Sequence, residues 1–405
     1  MQVMEPALTG MATAAPAPVR LPAHRELGQG AWVSAAEAAW QEPWRAAFAR
    51  YTPGDLGSHP DWCASIEATY PGSMHLVVVR CAQQDAVVPV IVKPVELDCQ
   101  IGEVRLLPLR PRVLQLSGAL LGLPEDERAY AAFFRTLLAN RARWHALNFA
   151  VPAGSFLEGF LERSPLCRGA LRRWQPAPAA EHWLIELPQT FEEYAGKFTS
   201  KTRKNRNREV RILEQRGAVE LACFRRPDQV DAFLQEAGAI SGRSYQHRML
   251  RAGLRQPIHL RERLRTAAAQ GWLRSYVLRC GGATCSYLLG YQFRGRYYYS
   301  KVGYDPAWTG LCAGTVLQWL VLQDLYGSDT PAVFDFGGLG PQMRYFGNRS
   351  FMESNVYYFR AGAYSLLVRG SHAAARGISK PALALLDRHE LKPKLRNWLR
   401  RLRGC

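Results

Sequence analysis

The segment from position 297 to 347 holds the residue types best suited to chemistry. It reads YYYSKVGYDPAWTGLCAGTVLQWLVLQDLYGSDTPAVFDFGGLGPQMRYFG. A β-branched and aromatic strand runs into a loop containing Gly310 and Gly314, and a helix begins near Thr315. Small residues let a ligand approach the backbone closely, and unpaired amides at a helix start favour an anion. The pattern predicts a pyrophosphate site, although a plain strand–helix turn fits the two glycines equally well.

A second feature is a strongly basic helix. Residues 197–216 carry eight Lys and Arg against two acids. Thr199 or Ser200 suits an N-cap and Gly217 suits a C-terminal stop. Cations near a helix N-terminus are electrostatically unfavourable. Their presence here indicates an anionic partner, such as CoA phosphates or an anionic glycan or lipid. The alternative is that these side chains form an ordinary solvated helix face. The contact candidates share one stripe of the helix and are Arg203, Asn207 and Arg211.

Composition limits the class of protein. The chain has 405 residues, 48% of them hydrophobic, which favours two domains with a large core. Net charge is +18, but residues 197–216 and 361–405 supply most of it, so a general nucleic-acid coat is disfavoured. Nine cysteines without C-x-x-C spacing predict reduced, mostly buried thiols in a cytosolic protein, with neither disulfides nor a metal site.

The two ends of the chain differ from its body. Residues 1–24 are rich in Ala and Pro and predict a disordered leader without the apolar run of a signal peptide. PKLRNWLRRLRGC (393–405) predicts a short basic amphipathic helix, suited to an anionic membrane surface or to packing on the protein. No run reaches the roughly 18 apolar residues that a membrane span needs. We expect a cytoplasmic protein, either free or peripheral at the inner membrane face.

The order of predicted elements repeats along the chain. VVVRCAQQDAVVPVIV (77–92) and YVLRCGGATCSYLLGY (276–291) each predict a hairpin, and each is followed by strand, helix and strand. We interpret the echo as a duplication of one α/β unit with a mixed sheet. The predicted divisions are a leader at 1–24, a first domain at 25–175, a second domain at 182–362 and a basic helical tail at 363–405.

Three motifs in this order resemble the acetyltransferase domain of cellulose-biosynthesis-type (CelD-like) proteins, within the GNAT superfamily. They are KTRKNRNREVRILEQRGAV, GYDPAWTGLCAGTVLQWLVLQDL and FDFGGLGPQMRYFG. The resemblance spans roughly residues 183–360. It implies a GNAT fold, two in tandem as in the related Fem-type peptidoglycan aminoacyltransferases. It also implies acetyl-CoA or another acyl-CoA as co-substrate and no metal.

The same resemblance implies a place for the acyl donor. The donor would lie where the strands at 297–302 and 333–336 splay apart. The pantetheine would pair with the main chain of Ser300, Lys301 and Val302. The pyrophosphate would lie on the amides of Gly310, Leu311, Cys312, Ala313, Gly314 and Thr315.

Direct transfer in this family needs a base, a proton donor for the leaving thiolate and stabilisation of an oxyanion. The catalytic candidates are Asp335, Tyr304 and Arg344, with Tyr345 as an acceptor contact. Asp335 is equally suited to capping the turn at Gly337, and an aromatic residue at a strand end such as Tyr304 also serves packing.

The chain departs from the family pattern close to G-x-E-x-Y-K. Gln342 and Arg344 replace the Glu and Lys, so one potential base is lost while positive charge is kept. The leading hypothesis is an acyl-CoA-dependent N- or O-acyltransferase for a small-molecule, glycan-linked or lipid-linked acceptor in envelope or exopolysaccharide biosynthesis. The alternatives are Fem-like transfer from an aminoacyl-tRNA, the one nucleic acid then expected to bind, and a non-catalytic accessory protein of polysaccharide synthesis.

Overall fold

A computed structural model describes residues 28–50, 55–82, 85–97, 100–101, 104–105, 109–120, 122–243, 254, 257–339 and 341–388. Its strands are β1 (Gly30–Ser34), β2 (Met74–Val79), β3 (Ala86–Pro94), β4 (Gln100–Ile101), β5 (Val104–Arg105), β6 (Arg112–Leu116), β7 (Ala146–Pro152), β8 (Leu171–Trp174), β9 (Ala180–Glu186), β10 (Val219–Phe224), β11 (Ser275–Cys280), β12 (Ala283–Phe293), β13 (Arg296–Tyr304), β14 (Val333–Leu339) and β15 (Arg349–Arg360). Its helices are α1 (Ala38–Arg50), α2 (Pro60–Thr69), α3 (Glu127–Ala139), α4 (Phe156–Arg163), α5 (Pro165–Ala170), α6 (Phe191–Gly196), α7 (Ser200–Glu214), α8 (Val230–Arg243), α9 (Pro257–Ala269), α10 (Ala313–Leu325) and α11 (Ala363–Arg388).

One mixed sheet runs through both halves of the chain, in the order β1-β2-β3-β6-β7-β15-β9-β14-β13-β12-β11-β10. In the first half, β1, β2, β3 and β6 are antiparallel neighbours and β7 then pairs parallel to β6. In the second half, β10 to β13 repeat that meander and β14 pairs parallel to β13. The two predicted hairpins occupy equivalent places, and the predicted mixed α/β tandem is confirmed.

The halves are joined by strands β15 and β9. β15 pairs antiparallel with β7 through its second part and with β9 through its first part. A strand late in the sequence therefore lies against the first half. The domain limits at 175 and 182 stay a prediction, since strands from both sides of them interleave here.

Helix α10 is the central helix of the second half. It is apolar on nearly every side because it packs between the sheet and α7, and eight of its residues are buried. On the opposite side of the sheet, α8 and α9 cover β11 and β12 around Phe233 and Tyr287. Burial on two faces fixes the strands that shape the site described below.

The basic helix α7 begins after the predicted N-cap Thr199, whose hydroxyl accepts from the Thr202 amide at 3.2 Å. Leu213 is buried and Val210 is half-buried, so the C-terminal half of α7 is the docked part, as predicted. No helix in the described part of the chain is long and apolar enough to span a bilayer. The predicted leader at 1–24 and the amphipathic segment 393–405 lie outside the described residues.

Candidate active site

The two central strands of the second half pair briefly and then part. β13 and β14 run parallel over three rows, the last of which joins Tyr298 and Asp335. β14 pairs with its other neighbour, β9, at Asp335 and then again only at Leu339. On its far side β13 carries Ser300 as an extra residue, a bulge against β12. The strands therefore open a wedge beyond Tyr298, where the resemblance to the CelD-like domain places the splay.

A cavity of about 580 Å³ opens at this wedge. It is bounded by β13, the start of α10, the side of α7 and the segment that follows β14. Its lining residues are Arg206, Tyr299, Val302, Tyr304, Thr309, Cys312, Ala313, Gly314, Thr315, Gln318, Met343, Tyr345 and Phe346. Of the predicted donor contacts, those that do not line it are Ser300, Lys301, Gly310 and Leu311.

The start of α10 presents unpaired amides to this cavity. Cys312 takes a left-handed conformation, with φ 54° and ψ 32°, and provides no side-chain cap. Its carbonyl accepts from the amides of Thr315 and Val316 at 2.9 and 3.0 Å. The amides of Ala313 and Gly314 have no acceptor among the described residues. Since the first turn carries no acidic side chain, the helix dipole and these amides favour an anion.

Gln318 supplies a further polar group inside the cavity. Its side chain is only 8% exposed, and its Nε2 has no hydrogen-bond partner in the described part of the chain. A buried amide donor without a partner costs about 1–3 kcal/mol. A ligand that offers an oxygen at this point would remove that cost, so Gln318 independently indicates an occupant.

Arg206 contributes the positive charge of the cavity wall. Its guanidinium forms an ion pair with Glu209 at 2.6 Å and lies over the Tyr345 ring, 5.5 Å from the centroid. Burial raises the pKa of Glu209, against the opposing effect of Arg206. Arg206 is not among the predicted contacts, although it shares the i, i+4, i+7 stripe of Val210 and Leu213 and so belongs to the docked face.

The three predicted contacts on α7 do not reach the cavity. Arg203 donates from Nη1 to the Phe198 carbonyl at 2.7 Å and braces the turn before the helix. Asn207 and Arg211 are exposed. They lie on a different stripe from Arg206 and do not line this cavity, so their role as acceptor contacts stays a prediction.

Asp335 is buried and accepts hydrogen bonds on both of its carboxylate oxygens. Oδ1 accepts from the Gly337 amide and from His182 Nε2, each at 2.8 Å, and Oδ2 accepts from Arg296 Nη1 at 2.8 Å. Burial alone would raise the pKa of Asp335, but these partners outweigh it and hold the pKa below its usual value. The bond to Gly337 is the turn cap that the sequence allows, and a carboxylate so held is a weak base.

The other two predicted catalytic residues lie at the cavity mouth or beyond it. Tyr304 lines the cavity and is 40% exposed. Arg344 is exposed and outside the lining. Asp305 accepts from the Ala307 amide at 3.0 Å and so stabilises the turn after β13. Among the described residues, no group of three or more His, Cys, Asp or Glu is arranged to hold a metal ion.

Comparisons with known proteins agree with this geometry. Residues 200–347 match a family model described as an acetyltransferase (GNAT) domain. No curated protein matches the chain. The crystal structure of FemX superposes with a TM-score of 0.52 at 10% identity, over 79% of this chain and 96% of that one. A tandem GNAT protein from the clavulanic acid biosynthesis pathway superposes with a TM-score of 0.50 at 14% identity, over 83% and 99%.

The two structures show the fold, and the domain match gives the enzyme class of residues 200–347. At such low identities the two structures show a shared fold, here the tandem GNAT arrangement over most of the chain. The domain match confirms the prediction of a GNAT-type acyltransferase, an enzyme class that generally uses an acyl-CoA co-substrate. The matched segment contains the wedge, the start of α10 and Arg206.

Proposed function

We propose that the protein transfers an acyl group from an acyl-CoA thioester, with acetyl-CoA as the simplest donor, to an amine or hydroxyl acceptor. The observation that carries the proposal is the meeting, in one cavity, of the wedge between β13 and β14, the unpaired amides of Ala313 and Gly314, and the unpaired Nε2 of Gln318. The two amides and Gln318 Nε2 have no partner in the described part of the chain, and the two strands do not pair with each other within the wedge. An acyl-CoA offers hydrogen-bond partners to all three features.

The donor would lie along β13. Its diphosphate would accept from the amides of Ala313 and Gly314, and Arg206 would add positive charge from the side. The pantetheine arm would follow the main chain of Ser300, Lys301 and Val302, beyond the last row paired with β14. The thioester would then reach the wedge, where an apolar wall formed by Tyr299 and Phe346 excludes water.

The reaction is an addition followed by an elimination. The acceptor nitrogen or oxygen attacks the thioester carbon, the new C–N or C–O bond forms, and the C–S bond then breaks. The acceptor loses one proton and the thiolate gains one. Tyr304 lines the cavity, but its ring lies beside Gly314, where the diphosphate is placed, so no side chain is assigned as the proton donor to the thiolate. Asp335 and Arg344 receive no step, since one is held by three donors and the other lies outside the lining.

The setting of the reaction rests on the resemblance described in the sequence analysis. It favours a small-molecule, glycan-linked or lipid-linked acceptor in envelope or exopolysaccharide synthesis, on the cytoplasmic side, with residues 393–405 as a contact for an anionic membrane. A Fem-like transfer from an aminoacyl-tRNA is the second candidate. The exposed basic side chains of α7 favour it, namely Lys201, Lys204 and Arg208.

Isothermal titration of the full chain with acetyl-CoA, longer acyl-CoAs and CoA tests the proposal. Saturable binding of at least one thioester supports it, and the preferred chain length identifies the donor. Strongly salt-dependent binding of tRNA in place of acyl-CoA would support the second candidate. The absence of binding to both would exclude both enzymes and favour a non-catalytic accessory role.

A further inference from the structure

A second cavity, of about 780 Å³, lies where the two halves of the protein meet. One wall comes from the first half, including Gln115, Asn148 and Tyr130. The other comes from the end of β14 and from β15, including Gly337 and Glu353. The cavity is separate from the proposed donor site, and the proposed function has so far made no use of it.

The second cavity is the counterpart of the donor wedge in the first half. β6 and β7 pair parallel over three rows, the last of which joins Gln115 and Asn148, and then part. β13 and β14 also pair over three rows before they part. The duplication therefore provides two wedges, and the question is whether they bind the same kind of ligand.

The helix start beside the second wedge is unsuited to a diphosphate. The Asp126 carboxylate caps α3 by accepting from the Ala129 amide at 2.8 Å, so it occupies the place that a phosphate would take. Glu125 and Glu127 flank it. No described residue that lines the cavity is a Lys, Arg or His. The carboxylates near the start of α3 would repel a diphosphate, and Asp126 already occupies the capping position. These two features exclude a second acyl-CoA here.

The cavity wall instead carries a fixed series of amides. Gln115 Nε2 donates to Asn148 Oδ1 at 2.8 Å. Asn148 Nδ2 donates to Asn355 Oδ1 and to the Val356 carbonyl. This orientation leaves the Gln115 carbonyl oxygen as an acceptor and the Asn355 amide as a donor, neither with a partner among the described residues. One free acceptor and one free donor on the same wall suit hydroxyl groups, which both donate and accept hydrogen bonds.

A carboxylate held in place faces the same cavity. Glu353 is 15% exposed, and its Oε2 is hydrogen-bonded to His182 Nδ1 at 3.0 Å. His182 Nε2 is bonded in turn to Asp335, which accepts from the Gly337 amide. The Oε1 atom of Glu353 has no partner in the described part of the chain. A chain of hydrogen bonds therefore runs from this cavity to the backbone of the donor wedge.

The two cavities approach each other at Gly337. Gly337 lines the second cavity, and a Cβ atom built on it would lie 3.2 Å from the carbonyl oxygen of Tyr299, which lines the first. Gly337 has a φ of +63°, a conformation that glycine adopts readily. Gly337 therefore lets β14 approach the main chain of Tyr299 closely, so the two cavities lie on either side of this one close contact.

Resting on the proposed function, we propose that the second cavity binds the acyl acceptor, an unphosphorylated, hydroxyl-rich molecule with a neutral or cationic amine or a hydroxyl as nucleophile. Glu353 takes the proton from that nucleophile as the new C–N or C–O bond forms. The C–S bond breaks, and the thiolate takes a proton from solvent. His182 is a positioning residue that holds Glu353.

Saturation-transfer NMR on the full chain tests the ligand class with three probes: glucosamine, N-acetylglucosamine and glucosamine 6-phosphate. We expect signals from the first two and none from the phosphate ester, because no described cation faces the cavity. The signals should disappear in Asn148→Leu and persist in Gly314→Asp, which blocks only the donor site. No sugar signal, equal binding of the phosphate ester, or signals that survive Asn148→Leu would overturn the assignment.

Acetyl transfer to whichever probe binds tests the role of Glu353. We expect Glu353→Gln to lower kcat by about 100-fold or more with the KM for acetyl-CoA unchanged. The matched control is Glu181→Gln, an exposed neighbour on β9, which should leave kcat intact. An unchanged kcat in folded Glu353→Gln overturns its role. A wild-type protein that does not bind acetyl-CoA would instead refute the proposed function. Failure of the acceptor proposal and failure of the proposed function are therefore distinguishable.

Discussion

The sharpest perturbation of the donor site is Gly314→Asp. It places a carboxylate about 5 Å from the proposed diphosphate, and at an effective dielectric of about 20 this costs about 3 kcal/mol per pair of unit charges. Affinity for acetyl-CoA should fall more than 100-fold. An acidic side chain in the first turn of a helix is itself favourable by about 0.5 kcal/mol, so the variant should fold and unfold at a temperature no lower than that of the wild type.

Gly314→Ala is the matched control for this experiment. A Cβ atom at this position meets nothing closer than Tyr304 Cδ1, at 3.5 Å, which is an ordinary contact, so steric loss should be small. Calorimetric titration of the wild type and the two variants with acetyl-CoA gives the affinities, and thermal unfolding verifies the fold. Equal affinity of the Asp and Ala variants would refute the placement of the diphosphate at this helix start.

The other predictions concern single groups around the two cavities. Gln318→Leu should stabilise the unliganded protein by about 1 kcal/mol in urea denaturation, because the change removes a buried donor that has no partner. It should also weaken acetyl-CoA binding by about tenfold in calorimetry. A less stable variant that binds acetyl-CoA normally would contradict this prediction. Gly337→Ala should lower the free energy of unfolding by about 1 kcal/mol or more, since the φ of Gly337 is +63° and a neighbouring carbonyl oxygen lies 3.2 Å from the new Cβ. Urea denaturation measures this change. An unchanged free energy of unfolding would contradict the prediction. Burial lowers the pKa of His182, but its bonds to Asp335 and Glu353 raise it to about 9. The free energy of folding that the charged His182 contributes should therefore be complete below about pH 6.5 and be lost as pH rises through 9. Relative to His182→Gln, the loss should be about 2 kcal/mol after discounting for solvent screening. Parallel pH dependences of unfolding in the two proteins would contradict the hydrogen bonds from His182 to Asp335 and Glu353.

Much of the fold follows from local patterns. The hairpins predicted at 77–92 and 276–291 are β2 with β3 and β11 with β12, because alternation and turn residues are local signals. β15 begins at Arg349, ahead of the aromatic run that marks a strand in the sequence. Its first part pairs with β9 and leaves Phe351 and Met352 exposed, so burial did not mark it in the sequence.

The donor site was predictable where it depends on neighbours in sequence. The helix start near Gly314 follows from the glycines and the apolar run after them, whereas the splay of the two strands was implied only by the family resemblance. Gln318 and Arg206 were missed, because their importance comes from lining a cavity built by elements far apart in the chain. The chain of bonds from Glu353 to Asp335 joins residues separated by 153 and 171 positions from His182, and no spacing rule reveals such a contact.

The most direct measurement is a crystal structure of the protein with acetyl-CoA. The account predicts density for the diphosphate at the amides of Ala313 and Gly314, with the arm entering the wedge between β13 and β14 and a new hydrogen bond from Gln318 Nε2. Density for the nucleotide at the first-half wedge beside Asp126, or strands β13 and β14 closed along their length with the ligand elsewhere, would contradict it.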